Sequence, residues 1–190
     1  LADKEYTLDK PPGTWRVALL GDSVTRGQGA PFGTNFEFLL EARLNQDLFG
    51  PAGRQLEILN FAVGGYRITQ LVEVAHTRVP PFAPDVYVLP LTELSVFRDW
   101  GEHLATLVQN DIDLKYDFLR RVVREAGVRR SDPAGTIAAK LSRFRMPVLR
   151  WAVSEVKAVA AQHGANTLVI LVPNGVPLEI LEEQFVGVRE

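Results

Sequence analysis

The chain has 190 residues, a formal net charge of −2 and 46% hydrophobic residues, the mix of a single globular domain able to bury a real core, which excludes a disordered chain. The charge balance excludes a globally basic nucleic-acid binder, so no nucleic-acid partner is expected. Cysteine is absent and only three histidines occur (His76, His103 and His163), which excludes disulfides, thiolate metal sites and Cys nucleophiles and argues against a multi-histidine metal centre. No apolar run approaches the roughly 18 residues that span a bilayer. The chain begins with Leu1 rather than Met; an exported or membrane-anchored bacterial parent is the expectation, and the compartment is otherwise unreadable.

In chain order, a first strand, Val17 to Leu20, runs into Gly21. Thr34 to Phe49 reads as a helix with Phe36, Leu39, Leu40, Leu44 and Leu48 along one face, the stripe of an amphipathic helix. Thr34 and Glu37 have the spacing of a capping box at its start. A second strand, Leu56 to Phe61, ends near Gly64-Gly65, and a helix from about Thr69 to Val79 is stopped by Pro80-Pro81. Pro84-Asp85 introduces a third strand, Val86 to Leu91, and Thr167 to Val172 is a fourth. The strands are continuous apolar runs, the pattern of a parallel sheet covered on both faces. Strand alternating with helix predicts an α/β doubly wound, flavodoxin-like domain of about four parallel strands.

About 75 residues separate the third and fourth strands, too many for a simple crossover. Three helices are expected there. One carries Leu119, Val122, Val123 and Ala126; one carries Ile137, Leu141 and Phe144 after Ser131-Asp132-Pro133; one carries Leu149, Ala152, Val153, Val156, Val159 and Ala160 and ends before Gly164. The last is the crossover helix and residues 96–148 are a helical insertion within a single 1–190 domain. The segment Lys115 to Arg150 holds 10 basic and 3 acidic residues. A basic insertion on an acidic body suits contact with an anionic surface; solvated helix faces are the alternative.

Sites in such sheets form at the carboxyl ends of the strands. The first strand ends in Gly21-Asp22-Ser23. A serine at a strand tip can act as a nucleophile if a base takes its proton, and its own N–H can stabilise an oxyanion. The second strand ends in Asn60-Phe61-Ala62-Val63-Gly64-Gly65-Tyr66, where glycine lets backbone approach a substrate. The glycine-rich run Gly27 to Gly33 lacks both G-x-G-x-x-G spacing and a G-x-x-x-x-G-K-[ST] loop, so a nucleotide site is not supported.

Together these blocks resemble the SGNH (GDSL-type) hydrolase superfamily of serine esterases, lipases, thioesterases and carbohydrate acetyl-esterases. Trp15 to Gly29 is similar to its G-D-S block, Asn60 to Tyr66 to its N-x-G-x-x-G block, and Pro84 to Leu91 to the approach to its third block. The resemblance implies that Ser23 is the nucleophile, that Ser23 and Gly65 donate backbone N–H groups to the oxyanion, and that Gly21 and Asp22 shape the turn. It implies ester hydrolysis or acyl transfer through an acyl-enzyme on a small-molecule or carbohydrate ester, with no metal and no cofactor. Oligomeric state is not readable.

Two blocks depart from the pattern. Leu94 stands where the family has an oxyanion Asn, with Ser95 next to it; leucine cannot donate, and Thr92 is the candidate substitute. No D-x-x-H pair occurs, and His103, four residues after Asp99, is the candidate replacement base. Either the chain is C-terminally incomplete or it is a non-catalytic relative that binds a glycan or acyl ligand. As written, the chain is expected to be an impaired hydrolase.

Overall fold

The computed structural model describes residues 4–31, 33–92, 100–173, 175 and 177–185. Four strands form one parallel sheet: β1 (Thr14–Leu19), β2 (Gln55–Asn60), β3 (Val86–Leu91) and β4 (Asn166–Leu171), in the order β2-β1-β3-β4. The helices are α1 (Phe36–Leu44), α2 (Ile68–Thr77), α3 (Trp100–Gln109), α4 (Asp117–Glu125), α5 (Ala134–Leu141), α6 (Arg145–Gln162) and α7 (Leu178–Gln184). This is the α/β parallel sheet that the strand-helix alternation implies. Helix α3 is not among the three helices expected between the third and fourth strands. No described helix is long and apolar enough to cross a membrane.

The chain divides into two compact units. The first comprises Leu1–Tyr66, Gln70–Leu91 and Glu155–Val172 and contains the whole sheet. Leu19, Leu56, Ile58 and Val88 form a buried cluster on one side of the sheet, with Val17, Leu44, Phe49 and Val86 packed against it. Strand β1 carries an exception to its apolar run. Arg16 is wholly buried. Its Nε donates to Glu57 at 2.7 Å, its Nη1 to the carbonyls of Leu8 and Phe82, and its backbone N–H to Asp85 at 2.7 Å. A buried guanidinium persists only with such partners, and here they tie the N-terminal segment to the sheet. On β4, Leu168 and Ile170 are 51% and 40% exposed, so the expected two-sided cover does not extend to this edge strand among the described residues.

Helix α1 departs most from expectation. Its N-cap is Asn35, without a side-chain capping bond, while the Thr34 hydroxyl donates to the Pro31 carbonyl. The capping box is therefore not formed. The α-helix stops at Leu44 and a π turn, Asn45–Phe49, follows. Most of the apolar stripe faces outward: Phe36, Leu39, Leu40 and Leu48 are 45–61% exposed, whereas Leu44 packs on the core and Glu37 is buried. The cause lies in β2, an edge strand whose outer row of backbone groups needs partners. Glu41 Oε2 accepts from the Ile58 N–H at 2.6 Å. Asn45 brackets Leu56, accepting from its N–H at 2.7 Å and donating to its carbonyl at 2.9 Å. Tyr6 donates its hydroxyl to the Ile58 carbonyl. Glu37 completes the row by accepting from the Asn60 side chain at 2.7 Å. Residues 37, 41 and 45 thus meet residues 60, 58 and 56. Four helical residues rise about 6 Å and two strand residues about 6.6 Å, so an antiparallel helix matches the strand bond for bond.

The second unit comprises Arg67–Thr69, Thr92–Ser154 and Pro173–Glu190. Ile137 and Leu141 of α5, Leu119 and Val122 of α4, and Val148, Leu149, Ala152 and Val153 of α6 are buried, as their spacing implies. Trp151 stacks on Phe118 at 5.1 Å and meets Tyr116 edge-on. Three of the segment's ten basic residues form ion pairs within this unit. Arg120 bonds Asp113 and Asp117, Arg130 pairs with Asp111, and Lys140 with Asp132.

Candidate functional site

Strand β1 ends with the Leu20 N–H bonded to the Val88 carbonyl, and the chain then leaves the sheet through Gly21. A Cβ at Gly21 would lie 2.2 Å from the Thr25 hydroxyl, so no side chain fits. Asp22 Oδ1 accepts from the Val24 N–H at 2.9 Å, and the Asp22 and Ser23 carbonyls accept from the Arg26 and Gln28 N–H groups. These bonds coil the chain tightly at the strand tip and leave Ser23 partly exposed. Neither its hydroxyl nor its N–H has a hydrogen-bond partner among the described residues.

The tip of β2 lies alongside. The Phe61 N–H bonds the Leu19 carbonyl and the Val63 N–H the Gly21 carbonyl, which continues the strand pairing past the sheet and brings Gly64-Gly65 to the serine turn. A Cβ placed on Gly64 would sit 3.8 Å from Ser23 Cβ and 2.9 Å from Gln28 Oε1. Gly65 holds φ at +83°, a conformation that favours glycine. An open cavity of about 700 Å³ spreads from this point, lined by residues 26–31, Asn35, Gly64 and Gly65. Ser23 is not among the lining residues.

A buried polar cluster backs the two turns. Asn60 Nδ2 donates to Glu37 Oε1 at 2.7 Å and reaches the Thr25 carbonyl at 3.4 Å, while its Oδ1 accepts from the Ala62 N–H at 3.0 Å. Asn35 also donates to Glu37 Oε1. One side chain thus links the serine turn, the β2 turn and α1.

Thr92 is buried immediately after β3 and belongs to the second unit. His103 lies on α3 in that unit. Its Nδ1 is buried with no partner among the described residues, and burial, with repulsion from Arg67 second, pushes its pKa down. His76 on α2 pairs with Glu155 of α6 at 3.3 Å, and His163 is exposed at the end of α6. Leu94, Ser95 and Asp99 lie outside the described residues. Among the described residues no group of three or more His, Asp and Glu side chains could hold a metal ion.

Gln28 and Asn35, which line the cavity, carry no motif in the sequence. Gln28 falls within both the Trp15-to-Gly29 block and the Gly27-to-Gly33 run, neither of which gives it a role, although its N–H closes the serine turn.

No family model matches the sequence, and no curated protein matches it. Solved structures do. The lipase Lip_vut3 from goat rumen metagenome is 14% identical, with 92% of this chain and 72% of that one covered and a TM-score of 0.49. Axe2, an acetylxylan esterase from Geobacillus stearothermophilus, is 14% identical over 81% of this chain and 75% of that one, TM-score 0.37. An alpha/beta hydrolase enzyme from the metagenome of Lake Arreo, Spain, is 18% identical over 80% and 75%, TM-score 0.36. The Gly21-Asp22-Ser23 turn follows β1 and the Asn60-to-Gly65 turn follows its parallel neighbour β2 in this α/β sheet.

Proposed function

We propose that this chain is a serine ester hydrolase or acyl transferase with Ser23 as nucleophile. The observation that carries the reading is the seating of Ser23 at the tip of β1 against Gly64, with an unpartnered hydroxyl and N–H beside a cavity. Ser23 Oγ attacks the acyl carbonyl carbon, and the carbonyl electron pair moves onto oxygen. The N–H groups of Ser23 and Gly65 receive that oxyanion. Collapse expels the alkoxide, which takes up the proton released by the serine. Water or another hydroxyl then accepts the acyl group. Arg26, Gln28, Asn35 and glycine backbone make the cavity polar, which supports a hydroxylated or carbohydrate ester over a long acyl chain. In the serine's own unit, His76 is taken up by Glu155 and His163 is exposed at the end of α6, and the Ser23 hydroxyl has no partner among the described residues, so turnover by this chain is impaired for want of a base.

A non-catalytic ligand-binding domain is the second reading, favoured by Leu94 in place of an amide donor. A fluorophosphonate probe separates the two. A single adduct on Ser23, abolished by Ser23→Ala, supports the hydrolase. An acetylated glycan that binds this chain while Ser23 stays unlabelled supports the binding domain.

A further inference from the structure

We infer that β4 is a self-docking edge: two copies of this chain pair β4 against β4, antiparallel about a two-fold axis at Val169, into one eight-stranded sheet. The backbone of β4 carries the inference. The Asn166 N–H bonds the Asp85 carbonyl and the Val172 N–H the Leu91 carbonyl, and the parallel register with β3 runs unbroken from Asn166 to Leu171. Backbone groups alternate in direction along a paired strand. Asn166, Leu168 and Ile170 therefore face β3, and Thr167, Val169 and Leu171 turn their N–H and C=O groups outward. None of those outward groups has a partner among the described residues. The strand contains no charged residue and no proline, the usual devices that keep an edge from pairing. Its exposed side chains, Leu168 and Ile170, are apolar.

The opposite edge of the same sheet is closed. On β2 the Leu56 and Ile58 N–H groups and carbonyls are taken by Asn45, Glu41 and Tyr6. Each chain therefore offers one open edge, and this makes a second copy the fitting occupant. A two-fold pairing of two open edges closes on itself, whereas a head-to-tail stack needs both edges and is blocked at β2. The strand is also self-complementary. With the axis at Val169, Val169 faces Val169 of the second copy and Thr167 faces Leu171, and each facing pair exchanges two backbone hydrogen bonds. Leu168 then opposes Ile170 of the second copy in a pair without backbone bonds, where side chains approach most closely. The two exposed apolar side chains thus cover each other, and no charge is buried. A contact of two six-residue edges belongs with the small, transient interfaces below about 1,200 Å², so the dimer forms and dissociates with concentration.

Sedimentation equilibrium of the full chain, from micromolar to millimolar concentration, tests this. Wild type should move from the mass of one chain to twice that mass, and Val169→Pro and Leu168→Lys should lose the shift. Proline removes an outward N–H and is tolerated on an edge strand, and an edge lysine deters pairing. Equal melting of dilute samples verifies the fold of both variants; where the proline variant melts lower, Leu168→Lys decides. Leu39→Glu, on the exposed apolar face of α1, should dimerise as wild type does. The chain has no cysteine, so Val169→Cys should form one intermolecular disulfide at the axis on oxidation. Facing residues of a hydrogen-bonded antiparallel pair stand about 5.5 Å apart at Cα, within disulfide reach. A wild type that stays one chain at millimolar concentration overturns the pairing, whether or not the edge takes up an unrelated apolar peptide strand. A dimer that survives Leu168→Lys, dissolves with Leu39→Glu or leaves Val169→Cys uncrosslinked overturns it too. Assembly beyond two chains overturns the two-fold closure.

Discussion

Glu37 accepts a 2.7 Å hydrogen bond from the side chain of Asn60, and both residues are only 2% exposed. Asn60 stands at the end of β2 and also holds the Ala62 N–H and the Thr25 carbonyl, so this one bond couples α1 to the two turns that frame Ser23. A hydrogen bond to a charged group contributes about 1.5–3 kcal/mol. Replacing Glu37 with Leu should cost that much in denaturant unfolding, and replacing Asn60 with Ala a similar amount. The double variant should be less destabilised than the sum, by about 0.5–3 kcal/mol, as for contacting pairs generally. Additive losses would show that the bond contributes nothing.

The outward leucines of α1 give a second expectation. Leu39 and Leu48 are 61% and 60% exposed. Changing Leu39 to Glu should move stability by no more than about 0.5 kcal/mol, as at ordinary surface positions. Had the apolar stripe formed the core, truncating it would cost about 2–5 kcal/mol. A chemical-denaturation midpoint separates the two without reference to activity.

Arg16 is the opposite case, a cation inside an apolar strand. Arg16→Leu leaves Glu57 and two carbonyls without their donor. Breaking one side of a buried pair costs about 3–5 kcal/mol. The double variant Arg16→Leu with Glu57→Leu should recover part of the loss, because no unpaired carboxylate remains. If the single variant unfolds at the wild-type denaturant midpoint, the contacts that tie the N-terminal segment to the sheet do not matter to stability.

His103 predicts a pH dependence. Burial, and then Arg67, hold its pKa below the usual histidine value, so the unfolded chain takes up this proton more readily than the folded one. Stability should therefore hold above about pH 6.5 and fall as pH drops through the unfolded value toward the lower folded one. Melting temperatures across that range should show the decline in wild type and a flatter profile in His103→Gln. Equal slopes would mean that His103 is not the group responsible.

The strands, their parallel pairing and the glycine turns after β1 and β2 are legible in the residues alone. Apolar runs of strand length ending in glycine can be satisfied in few ways: Gly21 leaves no room for a side chain, and Gly65 holds a positive φ that favours glycine. The buried helical faces of α4, α5 and α6 were legible for the same reason: their surroundings are apolar, so hydrophobic spacing reads true. Only tertiary structure decided which way α1 turns. Its apolar stripe is the stronger local signal, but the helix lies along the outer edge of β2, where backbone N–H and C=O groups demand partners. Glu41 and Asn45 meet that demand and Glu37 takes the Asn60 side chain, at a spacing that matches alternate strand residues, and an unsatisfied buried backbone group costs more than an exposed leucine. The place of Gln28 was equally hidden. Nothing in a glycine-rich run states that an amide five residues past the serine folds back over Gly64; the hydrogen bond from its N–H to the Ser23 carbonyl puts it there.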